Sequence, residues 1–173
     1  MATAALPAHS LTGQQVRLLR HLGAESTVRT ITADPELSWE RTEVDAAVKD
    51  LLTATGTRTA SQLVAWGAAQ RIITETSEPC TALAVSIQFP QRLRRVLVGW
   101  VGGSTAPELA ADFGVTAATV RGYGRDLRAW LGVRTQIQGS IAAVLAGLVL
   151  LSDVDPTWPA EPLLRTEPRG QAA

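Results

Sequence analysis

The sequence predicts an all-α fold built from two tandem units of four helices each. Apolar residues recur at helical spacing, and capping residues and glycines mark the ends of each such stretch. The chain is also self-similar: residues 11–31 match residues 89–109 at an offset of 78, and residues from Val44 onward match at an offset of 76. The two extra residues of the first unit fall near Pro35, where a turn-forming cluster accepts an insertion.

The first unit, residues 11–74, carries the weaker helix signals. Its first helix is indicated by Leu18, Leu19 and Leu22, and its second helix is predicted over residues 28–33. Its third helix is closed by Gly56 as a left-handed cap and is marked by Val44, Val48, Leu51 and Leu52. Its fourth helix is predicted over residues 61–73, and a linker over residues 75–88 follows.

In the second unit, residues 89–151, the first two helices have clear boundaries. The first is predicted over residues 91–100 and ends at the Gly102-Gly103 pair. The segment Thr105-Ala106-Pro107-Glu108 has the pattern of a capping box with proline in the first turn. It opens a short second helix that ends at Phe113.

The third helix of the second unit is capped by Thr116 and closed by Gly132. Helical spacing predicts that its inner face consists of Val120, Tyr123, Leu127 and Leu131. The fourth helix is predicted over roughly residues 136–150. The proline-rich residues 152–173 are expected to form a flexible tail.

Composition excludes several kinds of protein and site. Sixteen basic residues balance sixteen acidic ones, so the whole chain has no net attraction to nucleic acid. Cys80 is the only cysteine, and His9 and His21 are the only histidines, so we expect no metal site and no cofactor. Cys80 itself is interpreted as a small buried apolar group. No signal peptide is evident and the longest apolar run, residues 141–151, is too short to cross a bilayer, which predicts a soluble, cytoplasmic protein without membrane contact.

A series of short motifs runs through the second unit from Val96 to Thr135. They are Val96-Leu97, Gly103-Ser104, Glu108-Leu109-Ala110, Phe113-Gly114-Val115, Thr119-Val120 and Leu131-Gly132-Val133-Arg134-Thr135. In this order and spacing they resemble the helix-turn-helix domain of the LuxR family of bacterial regulators. The first unit is a more distant relative, which keeps Leu11-Thr12, Leu18-Leu19, Ile31, Leu37-Ser38, Val44 and Gly56-Thr57-Arg58-Thr59.

The resemblance implies sequence-specific DNA binding, with the third helix in the major groove and the fourth helix available for dimer contacts. Members of the family usually carry one such domain behind a receiver or ligand-binding domain. Here a second helix-turn-helix unit takes that position, so the resemblance does not indicate how activity is switched.

Arginine is concentrated on the outward face of the third helix of the second unit. Arg121 and Arg125 lie one turn apart, which suits contacts to guanine O6 and N7 or to phosphate, and the alternative is a solvated arginine face. Residues 89–151 carry seven arginines against three acidic residues, so the positive charge is local to this unit. The predicted DNA contacts are Thr116, Thr119, Arg121, Arg125 and Arg128, with Ser104 and Thr105 as phosphate donors at a helix N-terminus.

The corresponding helix of the first unit is acidic. Its outward positions are Glu40, Arg41, Glu43, Asp45, Ala46 and Lys49. Because carboxylates repel phosphates, we expect this unit to bind DNA weakly or not at all and to serve as a packing partner.

Gly122 and Gly124 are unusual inside a predicted helix, since each costs about 1 kcal/mol relative to alanine. Two interpretations stay open. Either the glycines allow close approach of a phosphate backbone or another helix, or this helix is only partly formed.

The fourth helix of the second unit is apolar on every side, so more than one of its faces must be covered. Its own unit covers one face. The other is expected to pack against the fourth helix of the first unit, giving a pseudo-dimer, or against a second chain, giving a homodimer. The predicted interface residues are Leu63, Trp66, Ile141, Val144, Leu145 and Leu148.

These features together favour a sequence-specific DNA-binding transcriptional regulator whose partner is double-stranded DNA. The alternative is a protein-interaction module that keeps the helix-turn-helix fold and binds another regulator or RNA polymerase. An enzyme is not expected, because the sequence shows no phosphate-binding glycine loop and no nucleophile with a nearby histidine.

Overall fold

The computed structural model describes residues 11–75, here called the first half, and residues 90–155, the second half. Every regular element within these two ranges is a helix, so the all-α prediction is confirmed. The first half contains α1 (Gly13–Gly23), α2 (Val28–Thr32), α3 (Arg41–Thr55) and α4 (Ala60–Ala69). The second half contains α5 (Gln91–Val101), α6 (Ala106–Phe113), α7 (Ala117–Leu131), α8 (Gln136–Leu145) and α9 (Leu151–Val154). The predictions for His9, for Cys80, for most of the linker and for residues 156–173 of the tail lie outside the described residues.

Three of the four helix pairs have equal lengths in the two halves, and several caps repeat as well. Helices α1 and α5 have 11 residues each, α3 and α7 have 15 each, and α4 and α8 have 10 each. Gly56 and Gly132 close α3 and α7 with φ angles of 66° and 69°, in the left-handed region that favours glycine. Gln62 Oε1 accepts a hydrogen bond from Arg58 N (2.7 Å), as Gln138 Oε1 does from Arg134 N (2.9 Å).

Helix N-termini in the second half follow the predicted caps. Thr105 and Glu108 form a reciprocal capping box at the start of α6, with proline in its first turn. The Thr116 side chain caps α7 by accepting a hydrogen bond from Thr119 N. The boundaries of α6 and α7 are therefore set by local chemistry.

The fourth helix of each half ends earlier than its apolar pattern predicts. Helix α8 ends at Leu145 rather than at residue 150, because Gly147 adopts a φ of 67° and the Leu148 N–H bonds back to the Ala143 carbonyl. Helix α4 ends at Ala69 rather than at residue 73. Shortly after its end, Arg71 has a φ of 57°, which is not helical. After α8 the chain turns and forms α9, a short helix that was not predicted.

The two halves pack together through α4 and α8. Residues 61–68 of α4 and 138–143 of α8 are all buried, although α8 also packs on α5 and α7 of its own half. Contacts of α4 with α5 and of α1 with α8 flank this central pair. Of the predicted interface residues, Leu63, Trp66 and Ile141 are buried, while Val144, Leu145 and Leu148 are partly buried against the core.

Contacts among the first four helices of each half also match one to one. The pairs α1–α3, α1–α4, α2–α3 and α3–α4 have the counterparts α5–α7, α5–α8, α6–α7 and α7–α8. In the part of the chain that the structure describes, no helix is long and apolar enough to cross a membrane.

The buried carboxylate of Asp34 connects the loop that follows α2 to helix α1 through hydrogen bonds. Asp34 accepts hydrogen bonds from Arg17 Nε, from His21 Nε2 (2.8 Å) and from Glu36 N (3.0 Å), and its side chain is 6% exposed. The hydrogen bonds from Arg17 and His21 hold the pKa of Asp34 well below its usual value of 3.8. Its negative charge is therefore part of the folded structure.

We expect Asp34→Asn to destabilise the protein at pH 7, because Arg17 Nε loses its charged acceptor and the guanidinium keeps only the more exposed Glu36. Because folding lowers the pKa of Asp34, its ionised carboxylate contributes its full stabilisation at pH values above the pKa in the unfolded chain. This stabilisation is lost as the pH falls toward the lower pKa of the folded state. The gap between the urea midpoints of variant and wild type should thus shrink below about pH 4. Asp112→Asn, at an exposed position in the second half, is the control. A gap that stays constant down to pH 2 would contradict this assignment.

Candidate nucleic-acid interface

Helix α7 packs on the second half through one face and leaves its arginines outside. Val120, Gly124, Leu127 and Leu131 are its buried residues. At 3.6 residues per turn, Arg121, Arg125 and Arg128 fall on one stripe beside this buried face. Arg121 and Arg125 are exposed and Arg128 is half-buried. We call these three residues the arginine stripe.

The arginine stripe has no polar partner in the described part of the chain. Among residues 11–75 and 90–155, the side chains of Arg121, Arg125 and Arg128 form no hydrogen bond and no ion pair. Other arginines are engaged: the Arg95 guanidinium lies 4.2 Å from the ring centre of Phe113 and contributes a cation–π contact. The stripe is therefore a cationic surface whose guanidinium groups have no polar partner among the described residues.

A cleft of about 440 Å³ lies along one side of the stripe. Arg121 and Arg128 line it from α7, Ser104 and Thr105 from the start of α6, and Thr59 from the first half. Trp100 and Leu109 supply apolar walls. The stripe thus borders a recess that both halves build.

The predicted hydroxyl contacts are placed differently from the arginines. Thr116 and Thr119 lie at the N-terminus of α7, where their hydroxyl oxygens are 2.9 Å apart. By helix periodicity, Thr119 lies at least about 120° around the helix from each arginine of the stripe. One flat surface therefore does not present all five predicted residues of α7 together.

Thr105 is committed to the cap of α6. Its backbone N–H and its hydroxyl both donate to Glu108 Oε2, at 2.6 and 2.9 Å. Arg58 of the first half donates to the other carboxylate oxygen at 2.5 Å, and these donors lower the pKa of Glu108 to about 2. A phosphate at this helix N-terminus would have to compete with the Glu108 carboxylate for the donors of Thr105. Ser104 is half-buried in the cleft, and no carboxylate of the described residues accepts a hydrogen bond from its hydroxyl.

The two glycines of α7 have different surroundings. The helix runs unbroken through both, so the partly formed helix is ruled out. A Cβ at Gly124 would lie 3.0 Å from Trp100 Cζ2, while a Cβ at Gly122 would meet nothing within 4 Å. Close approach of another helix thus explains Gly124 alone.

Tyr123 lies at the edge of the inner face of α7. It packs against the core, as predicted, but is only half-buried, with the Arg92 guanidinium 5.8 Å from its ring centre. Gly124, absent from the predicted inner face, is buried on the same side of the helix against Trp100.

We expect Gly122→Ala to stabilise the protein by up to about 1 kcal/mol, since alanine is the better helix former and the site is open. Gly124→Ala has the same propensity gain but must displace the Trp100 ring, so it should be neutral or destabilising. Urea denaturation of both variants measures the difference. Equal stabilisation by the two alanines would show that Trp100 does not restrict the position.

Helix α3 presents a different surface at the same positions. With the offset of 76, Asp45 corresponds to Arg121 and Lys49 to Arg125, and all four are exposed. Between residues 40 and 55 four acidic side chains outnumber two basic ones, whereas between residues 116 and 131 three arginines face one aspartate. Of these two helices, only α7 therefore carries a cationic stripe.

Sequence reasoning missed the residues of the site that are distant from α7 in the sequence. Thr59 and Trp100 line the cleft, and Arg58 binds Glu108 across 50 residues of sequence. No local pattern marks such contacts, because they depend on how the halves pack.

This chain matches no protein-family model, no curated protein and no solved structure. The resemblance to LuxR-type domains therefore stays a prediction that rests on the motifs of the second unit.

Proposed function

We propose that this protein is a sequence-specific transcriptional regulator that inserts α7 into the major groove of double-stranded DNA. The observation that carries the proposal is the arginine stripe, three guanidinium groups on one helix face with no partner among the described residues. Arginines without an internal partner add little to the stability of a helix, and their guanidinium groups are available to bind an external anion or a base edge.

The dimensions and chemistry of α7 fit this use. A helix of 15 residues is about 22 Å long, and the major groove of about 12 Å width admits an α-helix. Arginine binds guanine O6 and N7 with two hydrogen bonds, and it also neutralises phosphates. The small residues Ala117, Ala118 and Gly122 flank the stripe, which allows base edges to come near the backbone.

The surrounding helices favour a helix-turn-helix arrangement in each half, joined through α4 and α8. Helices α6 and α7 pack together across a three-residue turn, Gly114 to Thr116, in which Gly114 has a φ of 65°. In such motifs the second helix reads the groove while the first crosses the backbone. Ser104, near the start of α6, is then the remaining candidate for a phosphate contact.

Arg121→Ala and Arg125→Ala should each weaken binding to a selected duplex by about 1–3 kcal/mol if the arginines read bases. Phosphate contacts alone would instead reduce the slope of log K against log salt by about 1 per residue. Fluorescence anisotropy across a salt series distinguishes the two. Arg29→Ala, an exposed arginine of α2, is the control and should bind like the wild type. Unchanged affinity in both α7 variants would reject α7 as the recognition helix.

A protein-interaction module is the second candidate, and one observation favours it. Beyond α8, Leu150 is 44% exposed, and it follows the partly buried Val144, Leu145 and Leu148. In this case the apolar residues at and beyond the end of α8 bind another regulator or RNA polymerase. Such binding does not require the positive net charge that favours binding to DNA. Complete absence of binding to random duplex at low salt, by folded protein, would favour this candidate over DNA binding.

A further inference from the structure

The contact between the halves has the pattern of a symmetric dimer within one chain. Exchanging the halves turns α4–α5 into α8–α1 and leaves α4–α8 unchanged, and all three contacts are present. This reciprocity is the property of an isologous, twofold interface, in which each side uses the same patch. Helices α4 and α8, which would join two subunits in such a dimer, pack against each other within one chain.

The two sides of this dimer-like body differ in charge at the positions that matter for DNA. Arg121, Arg125 and Arg128 of α7 correspond to Asp45, Lys49 and Leu52 of α3. Two of the three cationic positions are therefore lost in the first half, and one is replaced by a carboxylate that repels phosphate. The other exposed acids near this helix, Glu40, Glu43 and Asp50, lie on other sides of it, so Asp45 is the carboxylate at the position of the stripe.

We infer that one chain binds DNA as a monomer at a single, asymmetric half-site, and that Asp45 keeps α3 out of a second one. This inference rests on the proposed function. Symmetric helix-turn-helix dimers bind two half-sites about 10–10.5 base pairs apart, centre to centre. Here the twofold packing makes α3 the counterpart of α7, but the charges of Asp45 and Lys49 cancel, so this face of α3 cannot neutralise the DNA backbone.

The test begins with selection of bound sequences from a random duplex pool, using the full chain. We expect one block of preferred bases, no inverted copy of it one helical turn away, and a complex of one chain per duplex by light scattering. An inverted repeat bound by two chains would overturn the inference and leave the proposed function standing. Failure to bind any duplex would overturn both.

A second arm tests the role of Asp45 with a matched pair of variants. Asp45→Arg and Asp50→Arg make the same change in net charge on the same exposed helix, but Asp50 lies about 140° further around α3. On a duplex carrying the selected block and its inverted copy, Asp45→Arg should bind more tightly, with a salt slope steeper by about 1. Asp50→Arg should show neither change. Identical behaviour of the two variants would overturn the assignment to Asp45.

Discussion

Replacing Trp66 with alanine is expected to lower the free energy of unfolding by about 3–5 kcal/mol. Trp66 is 2% exposed in the middle of α4, the helix that packs against α8 and α1. A buried tryptophan removes roughly 150–250 Å² from water, and its deletion leaves a cavity that the rigid neighbours cannot fill. Domains of this size are stable by only about 5–15 kcal/mol, so the loss is a large fraction of the total.

Trp130→Ala provides the comparison, because Trp130 is half-buried on α7. Its loss should be clearly smaller in chemical denaturation followed by circular dichroism. Equal effects of the two substitutions would mean that α4 is not at the centre of the common core. Since α4 contacts both halves, we also expect the Trp66 variant to lower the midpoint of each half together rather than one alone.

Gly103→Ala is expected to cost about 2–5 kcal/mol, from two separate causes. Gly103 has a φ of 74°, where a Cβ costs about 1–2 kcal/mol. That Cβ would also lie 2.6 Å from Gln62 Oε1, the atom that accepts the hydrogen bond of Arg58 N. Moving the buried Gln62 leaves this N–H without its acceptor, which adds about 1–3 kcal/mol.

Gly114→Ala separates the two causes. Gly114 has a similar φ of 65°, but a Cβ there would meet nothing within 4 Å, so only the backbone cost applies. The difference between the two unfolding free energies measures the contact of Gly103 with the first half. If both alanines destabilise equally, the close approach to Gln62 is not maintained in solution.

Features encoded within a few residues could be predicted from the sequence. The Thr105–Glu108 box, the Thr116 cap and the terminal glycine at 132 all act within one turn of helix, and each was found where expected. The ends of α4 and α8 were missed, because apolar residues continue past both helices into turns that also pack on the core.

Features that depend on packing could not be predicted. Gly124 is buried against Trp100, which belongs to a helix about 20 residues earlier, so its burial was not visible in the local sequence pattern. The apolar pattern of α8 showed that a second face is covered but did not say by which helix. The predicted DNA contacts themselves remain to be tested by the binding measurements above.

Because the α4–α8 contact joins parts of one polypeptide, it does not come apart on dilution, as the linker keeps the local concentration of each partner high. Identical subunits carry every substitution twice, so a change that abolishes an activity on one side removes it on the other. In a single chain with two halves, a substitution can change one half and leave the other unchanged. Aspartate at position 45 opposite arginine at position 121 is a difference that two copies of a single unit could never display.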